Sequence, residues 1–245
     1  MKLGIIGGTG ALDMLETGHP EMIKSPFGPP SARPEPIRAG SQTNWFLARH
    51  GRPHRIPPHR INYRANIFCL KKLGVEGIVA INAVGGIHDD HQPGDLVLPD
   101  DLVDYTWGRE HTFTDTGTAE LRHVEFGRPF SGPLREIVLA AAGTSGEAIH
   151  DGGVYAATQG PRLESEAEVR RLMRDGCDLV GMTGMPEAGL AREAGLEYVS
   201  ICVVANRAAG LEDQPVSIED IHRVLAGSME RVGHVVKEIL VSADR

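Results

Sequence analysis

The sequence predicts a single α/β domain over residues 1–245, with a central, mixed β-sheet flanked by helices. Three observations carry this. Short apolar, β-branched segments such as Leu3–Ile6, Gly77–Ile81 and Leu196–Ala205 read as strands covered on both faces. They alternate with segments of helical periodicity, the pattern of strand–helix–strand units. No internal repeat, low-complexity tract or linker interrupts a length that one domain can fill.

The elements follow in order. Leu3–Ile6 is a buried strand running into Gly7-Gly8-Thr9-Gly10. Ser25–Pro36 carries five prolines and is therefore loop or sheet edge. Trp45–Ala48 is a second strand, ending on Arg49-His50-Gly51-Arg52. Asn62–Leu73 is a helix: Ala65, Ile67, Phe68, Leu70 and Leu73 form its apolar face, and Gly74 ends it. Gly77–Ile81 is a third strand, leading into Asn82-Ala83-Val84-Gly85-Gly86, and Asp95–Pro99 and Asp101–Asp104 are strand candidates. Tyr105–Pro129 is polar, aromatic and turn-rich, the kind of stretch that carries function or lies against a partner. Leu134–Ala142 is helical and Gly153–Thr158 a strand, followed by Gln159-Gly160-Pro161-Arg162. A charged helix covers Ser165–Asp175, a strand Asp178–Thr183 and a helix Pro186–Ala194. The strand Leu196–Asn206 breaks from apolar residues at Asn206, and Ile218–Val241 is a long amphipathic helix.

Composition narrows the function. An apolar fraction of 41% with 24% charged residues is that of an ordinary globular protein, and a net charge of -8 argues against a nucleic-acid surface. Cys69, Cys177 and Cys202 stand in apolar contexts, as expected of buried thiols in a reducing compartment. No apolar run approaches the roughly 20 residues of a membrane span, and Met1-Lys2 leads straight into a strand rather than a signal segment. A cytoplasmic protein with no membrane partner is expected.

The glycines around Gly7-Gly8-Thr9-Gly10 invite a dinucleotide-binding reading, which also needs an immediate helix and an acid some 20 residues on. That window is Ser25-Pro26-Phe27-Gly28-Pro29-Pro30, with neither strand nor acid, so the nicotinamide reading is set aside. What survives is an anion cradle of backbone amides plus the Thr9 hydroxyl, or a plain tight turn. Arg49-His50, Asn82-Ala83 and Met182-Thr183 end three further strands with compatible groups, and arginine suits bidentate phosphate binding. Four such strand ends favour a phosphate site. No set of His, Cys and Asp has metal-ligand spacing, so no metal is expected.

The ordered set Gly7-Gly8-Thr9-Gly10, Arg49-His50-Gly51-Arg52, Asn62-Tyr63-Arg64-Ala65-Asn66, Asn82-Ala83-Val84-Gly85-Gly86, Gln92-Pro93-Gly94-Asp95, Gly160-Pro161-Arg162 and Met182-Thr183-Gly184-Met185-Pro186-Glu187 resembles the trimeric purine nucleoside phosphorylases, especially their methylthioadenosine branch. The resemblance runs along essentially the whole chain. It implies the nucleoside phosphorylase fold, a homotrimer, and phosphorolysis of a purine nucleoside to free base and ribose 1-phosphate. Phosphate would be a co-substrate, with no cofactor. It further implies that Thr9, Arg49, His50, Ala83 and Thr183 bind phosphate, that Met182 lies under the ribose, and that His123 points toward a neighbouring subunit's nucleoside. Arg49, His50 and Asn206 are the catalytic candidates.

The purine is read where this chain departs from the methylthioadenosine pattern. That branch carries Asp-x-Asp after the last strand, and here stand Asn206, Arg207 and Ala208, all taken as substrate-binding. An asparagine amide can donate to a 6-oxo group and accept from a protonated N7. Glu164 matches a glutamate that accepts from N1–H in 6-oxopurine enzymes, where the methylthio branch has serine. At the 5′ end, Ile218 stands where other family members carry a hydroxyl-reading histidine, as in the methylthio branch. A 6-oxopurine reader with an apolar 5′ pocket describes S-methyl-5′-thioinosine, the expected substrate. Methylthioadenosine, inosine and guanosine are the alternatives, and a hydrolytic nucleosidase or a non-catalytic purine-binding module is the reading from another class. Gln159 and Gly184 also depart from the methylthio branch.

Overall fold

The computed structural model describes residues 1–8, 15–39, 41–114, 121–212 and 216–244. Among them the chain runs β1 (Leu3–Gly7), β2 (Glu35–Ile37), β3 (Asn44–Ala48), α1 (Tyr63–Lys72), β4 (Gly77–Gly86), β5 (Leu96–Leu98), β6 (Asp101–Asp104), α2 (Pro133–Ser145), β7 (His150–Asp151), β8 (Val154–Ala157), α3 (Glu166–Arg174), β9 (Leu179–Gly181), α4 (Gly184–Glu193), β10 (Glu197–Arg207) and α5 (Ile218–Ser242).

The strands form one mixed sheet built around β4. It pairs in parallel with β1 and β10, while its last residues, Gly85 and Gly86, pair antiparallel with β9. β3 and then β2 lie beyond β1, and β5 and β7 lie beyond β10. β9 continues through β8 to β6. Strand alternation sends side chains to two faces. Leu3, Ile5, Phe46, Val79 and Ile201 pack against Leu134 and Val138 of α2 and Val232, Val236 and Ile239 of α5. Ile6, Trp45, Leu47, Ile78 and Ala80 pack against Ile67 and Leu70 of α1 and Leu190 and Ala191 of α4. The expected mixed sheet with helices on both faces is therefore what forms.

Local chemistry sets two of the helix starts. Asn62 caps α1 by accepting from the Ala65 amide at 3.1 Å. Ser165 and Glu168 form a reciprocal capping box at the start of α3, which Arg162 reinforces with two bonds to the Glu168 carboxylate. Two strands run past their expected bounds. β4 continues through Asn82–Gly86, where two glycines hide the apolar pattern, and β10 runs to Arg207.

Candidate active site

Strand ends of β1, β3, β4, β9 and β10 open into one cavity of about 780 Å³. Gly8, Arg49, His50, Ala83, Met182, Thr183, Glu164, Asn206 and Ala208 all line it, so most of the expected set converges. Thr9 lies outside the described residues.

Arg49 is only 2% exposed. Its Nε and Nη2 donate to the two Glu187 oxygens, each at 2.8 Å, and Nη1 donates to the Ile81 carbonyl at 2.9 Å. The Tyr198 hydroxyl donates to the same carboxylate at 3.0 Å. Burial acts against the guanidinium charge, but Glu187 outweighs it and holds the group above its ordinary value. Arg49 thus stays charged and fixed. The three N–H groups so bound leave two of its five for an anion.

His50 accepts nothing at Nδ1, which donates to the Ile56 carbonyl at 2.8 Å, so the neutral ring presents Nε2 as an acceptor. Burial, with Arg49 and the stacked His54 ring adding to it, pushes His50 down to about 4. Neutral at pH 7, it suits acceptance from a phosphate O–H. The Thr183 hydroxyl donates to Asn82 Oδ1 at 2.9 Å, and Asn82 Nδ2 donates to Ser200 Oγ at 2.6 Å. An anion that binds at Thr183 therefore exchanges that bond for one to itself.

Asn206 reaches the cavity through an irregularity. β10 pairs with β4 in steady register up to Val204 against Val84, and then Asn206 pairs with Gly85. Ala205 is the extra residue of a bulge, which turns Asn206 onto the same face as Val203 and Ala83. Glu164 accepts from the Thr158 hydroxyl at 2.6 Å through Oε1, leaving Oε2 for a ligand. Val216 and the α5 residues Ile221, Leu225 and Met229 supply an apolar part of the lining, broken by His222.

The residue-pattern model for the phosphorylase superfamily matches residues 2–241. The chain belongs to the phosphorylase superfamily. A probable S-methyl-5′-thioinosine phosphorylase from Pseudomonas syringae pv. tomato is 48% identical, covering 96% of this chain and 97% of its own. An S-methyl-5′-thioadenosine phosphorylase from Thermofilum pendens is 38% identical over 99% and 92% of the two chains. Methylthioadenosine phosphorylase from Schistosoma mansoni, solved with adenine, superposes with a TM-score of 0.92 at 32% identity, over 98% and 91%. This member of the superfamily is thus a pentosyltransferase of the purine nucleoside phosphorylase type, with phosphate as co-substrate.

Three expected substrate residues do not reach the cavity of this phosphorylase. The bulge that turns Asn206 inward turns Arg207 outward, where its guanidinium donates to the carbonyls of Ile87, His88 and His91 and pairs with Asp89 at 2.7 Å. Arg207 is a clamp on the 87–91 turn, not a ligand-binding group. Ile218 is the first residue of α5 and 56% exposed, because the helix meets the cavity only from its second turn. Ile221 and Leu225 of the same helix line the cavity instead. His123 is exposed and outside the cavity.

Sequence reasoning placed Glu187 in a motif and Tyr155 in a strand but gave neither a role. Glu187, a lone acid on the buried face of α4, was the legible signal. Tyr155 also explains Gly184: its hydroxyl accepts from the Thr183 and Gly184 amides, and a Cβ on Gly184 would lie 2.8 Å from its ring. Gln159 accepts from Arg109 Nε and the Trp107 amide, each at 3.2 Å.

Proposed function

We propose that this protein cleaves S-methyl-5′-thioinosine with inorganic phosphate, giving hypoxanthine and 5-methylthioribose 1-phosphate. One observation carries the reading: Asn206 and Glu164 share a partly apolar cavity with Arg49, His50 and Thr183. The name of the Pseudomonas relative supports it.

A phosphate oxygen attacks C1′ as the C1′–N9 bond breaks and the ribose takes on oxocarbenium character. Electrons move into the purine, and the proton of the attacking hydrogen phosphate ends on the leaving base. Arg49, His50, Thr183, Ala83 and Thr9 hold the phosphate in line, and Met182 lies under the ribose. Asn206 donates to O6 and accepts from the developing N7–H. Glu164 accepts from N1–H. Adenine lacks that proton and turns a lone pair toward the carboxylate, and a buried polar group left unpaired costs roughly 1–3 kcal/mol. No covalent enzyme intermediate or cofactor enters this scheme.

The protein works as a homotrimer in which His123 approaches a neighbour's nucleoside. His123, Leu121 and Val124 are exposed in one loop, as a contact segment would be. Buried free thiols at Cys69, Cys177 and Cys202 suit the cytoplasm. Release of hypoxanthine, followed by ultraviolet absorbance with and without added phosphate, tests the reaction class. Cleavage must depend on phosphate, and a rate independent of it would assign a hydrolytic nucleosidase.

A further inference from the structure

We propose that Arg109 is the positioning residue that sets the spacing between the purine-reading loop and the phosphate end of the cavity. It comes from the polar stretch after β6, does not line the cavity itself, and is only 8% exposed. Its guanidinium is spent on the backbone of two cavity walls. Nη2 donates to the carbonyls of Thr158 at 3.1 Å and Gln159 at 2.8 Å, and Nε donates to the Gln159 side chain at 3.2 Å. Nη1 donates to the carbonyls of Met182 at 2.9 Å and Met185 at 2.5 Å, and one of these two N–H groups is shared with the Tyr63 hydroxyl at 3.3 Å.

What each carbonyl belongs to gives the arrangement its meaning. Thr158 is the residue whose hydroxyl holds the Glu164 carboxylate, so one wall is the purine reader. Met182 and Met185 bracket Thr183, and Glu187, which fixes Arg49, follows two residues later. The other wall is therefore the ribose and phosphate end. A single planar fork spans both. Lysine, a point charge with three donors on a flexible stem, cannot serve acceptors spread in this way.

In-line attack needs the phosphate oxygen, C1′ and the departing nitrogen aligned, and a misplacement of about 1 Å can cost on the order of 10²-fold in rate. Arg109 fixes that distance without touching substrate. The inference rests on the cavity assignments above and deepens them.

The test compares Arg109→Ala and Arg109→Lys with wild type and with Arg135→Ala. Arg135 donates to the carbonyls of Leu98 and Pro99, away from the cavity, and so reports the loss of a comparable backbone clamp. For each protein kcat, KM for phosphate and nucleoside, and Tm are measured with the nucleoside that wild type turns over fastest. Both Arg109 variants should lose kcat on the order of 10²-fold, with a smaller change in the nucleoside KM. Added guanidinium should raise kcat in Arg109→Ala and not in Arg135→Ala, which should lose Tm alone. Should the alanine variant fail to fold, the lysine variant carries the same comparison. A folded Arg109 variant with wild-type kcat overturns the proposal, as does a loss in Arg109→Ala that guanidinium leaves unchanged. An error in the substrate assignment shows separately, as a different preferred nucleoside in wild type.

Discussion

Asn206 lines the cavity because Ala205 is bulged out of register, and its Nδ2 donates to the Arg207 carbonyl at 2.7 Å, which leaves one N–H and Oδ1 for the proposed contacts to O6 and N7. Asn206→Asp replaces a donor to O6 with an acceptor. The ratio of kcat/KM for methylthioadenosine over methylthioinosine should rise by about tenfold or more, as expected for roughly 1–3 kcal/mol at one buried pair. An unchanged ratio would remove Asn206 from the purine-reading role. Glu187→Ala leaves Arg49 as a buried charge without its partner, a change that costs about 3–5 kcal/mol. Thermal unfolding should show that loss, and the KM for phosphate should rise with it. The residue identities at the site were legible because asparagine, glutamate and arginine stand out at the ends of apolar strands. Which way they point was not. A bulge of one residue separates Asn206, inside, from Arg207, outside, and no local pattern announces it. Arg109 was equally hidden, since a surface arginine and a buried guanidinium hub look alike in sequence.

α3 begins two residues after Glu164, and its capping box ties the loop that carries the proposed purine contact to a regular element. Ser165→Ala removes one half of that box. Stability should fall by about 1 kcal/mol, lowering Tm by about 2–4 °C in a chain of this size. Calorimetry and steady-state kinetics on the same sample check this, with kcat expected to stay within about twofold of wild type because Thr158 still holds Glu164. At this scale most of the fold could be read directly. Strands covered on both faces, such as β1, β4 and β10, are nearly unbroken apolar runs, and helices such as α1 and α5 carry their caps and stripes in sequence. β7 has two residues and gives no periodic signal, and the far half of β4 is masked by Gly85 and Gly86. Ile218 was misplaced because a helical stripe shows which face is apolar, not at which turn it meets a cavity.

Across the whole molecule, the histidines at the cavity link stability to pH. The unfolded His50 takes a proton near its ordinary value, while the folded group, held down by burial, does so only at about 4. Between those values the unfolded state binds more protons, so stability is full above the upper value and falls as pH drops toward the lower one. His54 is displaced in the same direction, burial being the main cause. Tm measured from pH 7 down to 4 should fall, and His50→Gln should flatten the slope by up to about 1.4 kcal/mol per pH unit. For the proposed trimer, light scattering should return three times the 26.4 kDa chain mass, and His123→Ala should raise the nucleoside KM; the mass of a single chain or an unchanged KM would count against it. The choice of nucleoside is tested by steady-state phosphorolysis of methylthioinosine, methylthioadenosine, inosine and guanosine by the purified protein. Methylthioinosine should have the highest kcat/KM, by about tenfold or more over methylthioadenosine through Asn206 and Glu164. A higher kcat/KM for methylthioadenosine would contradict the account.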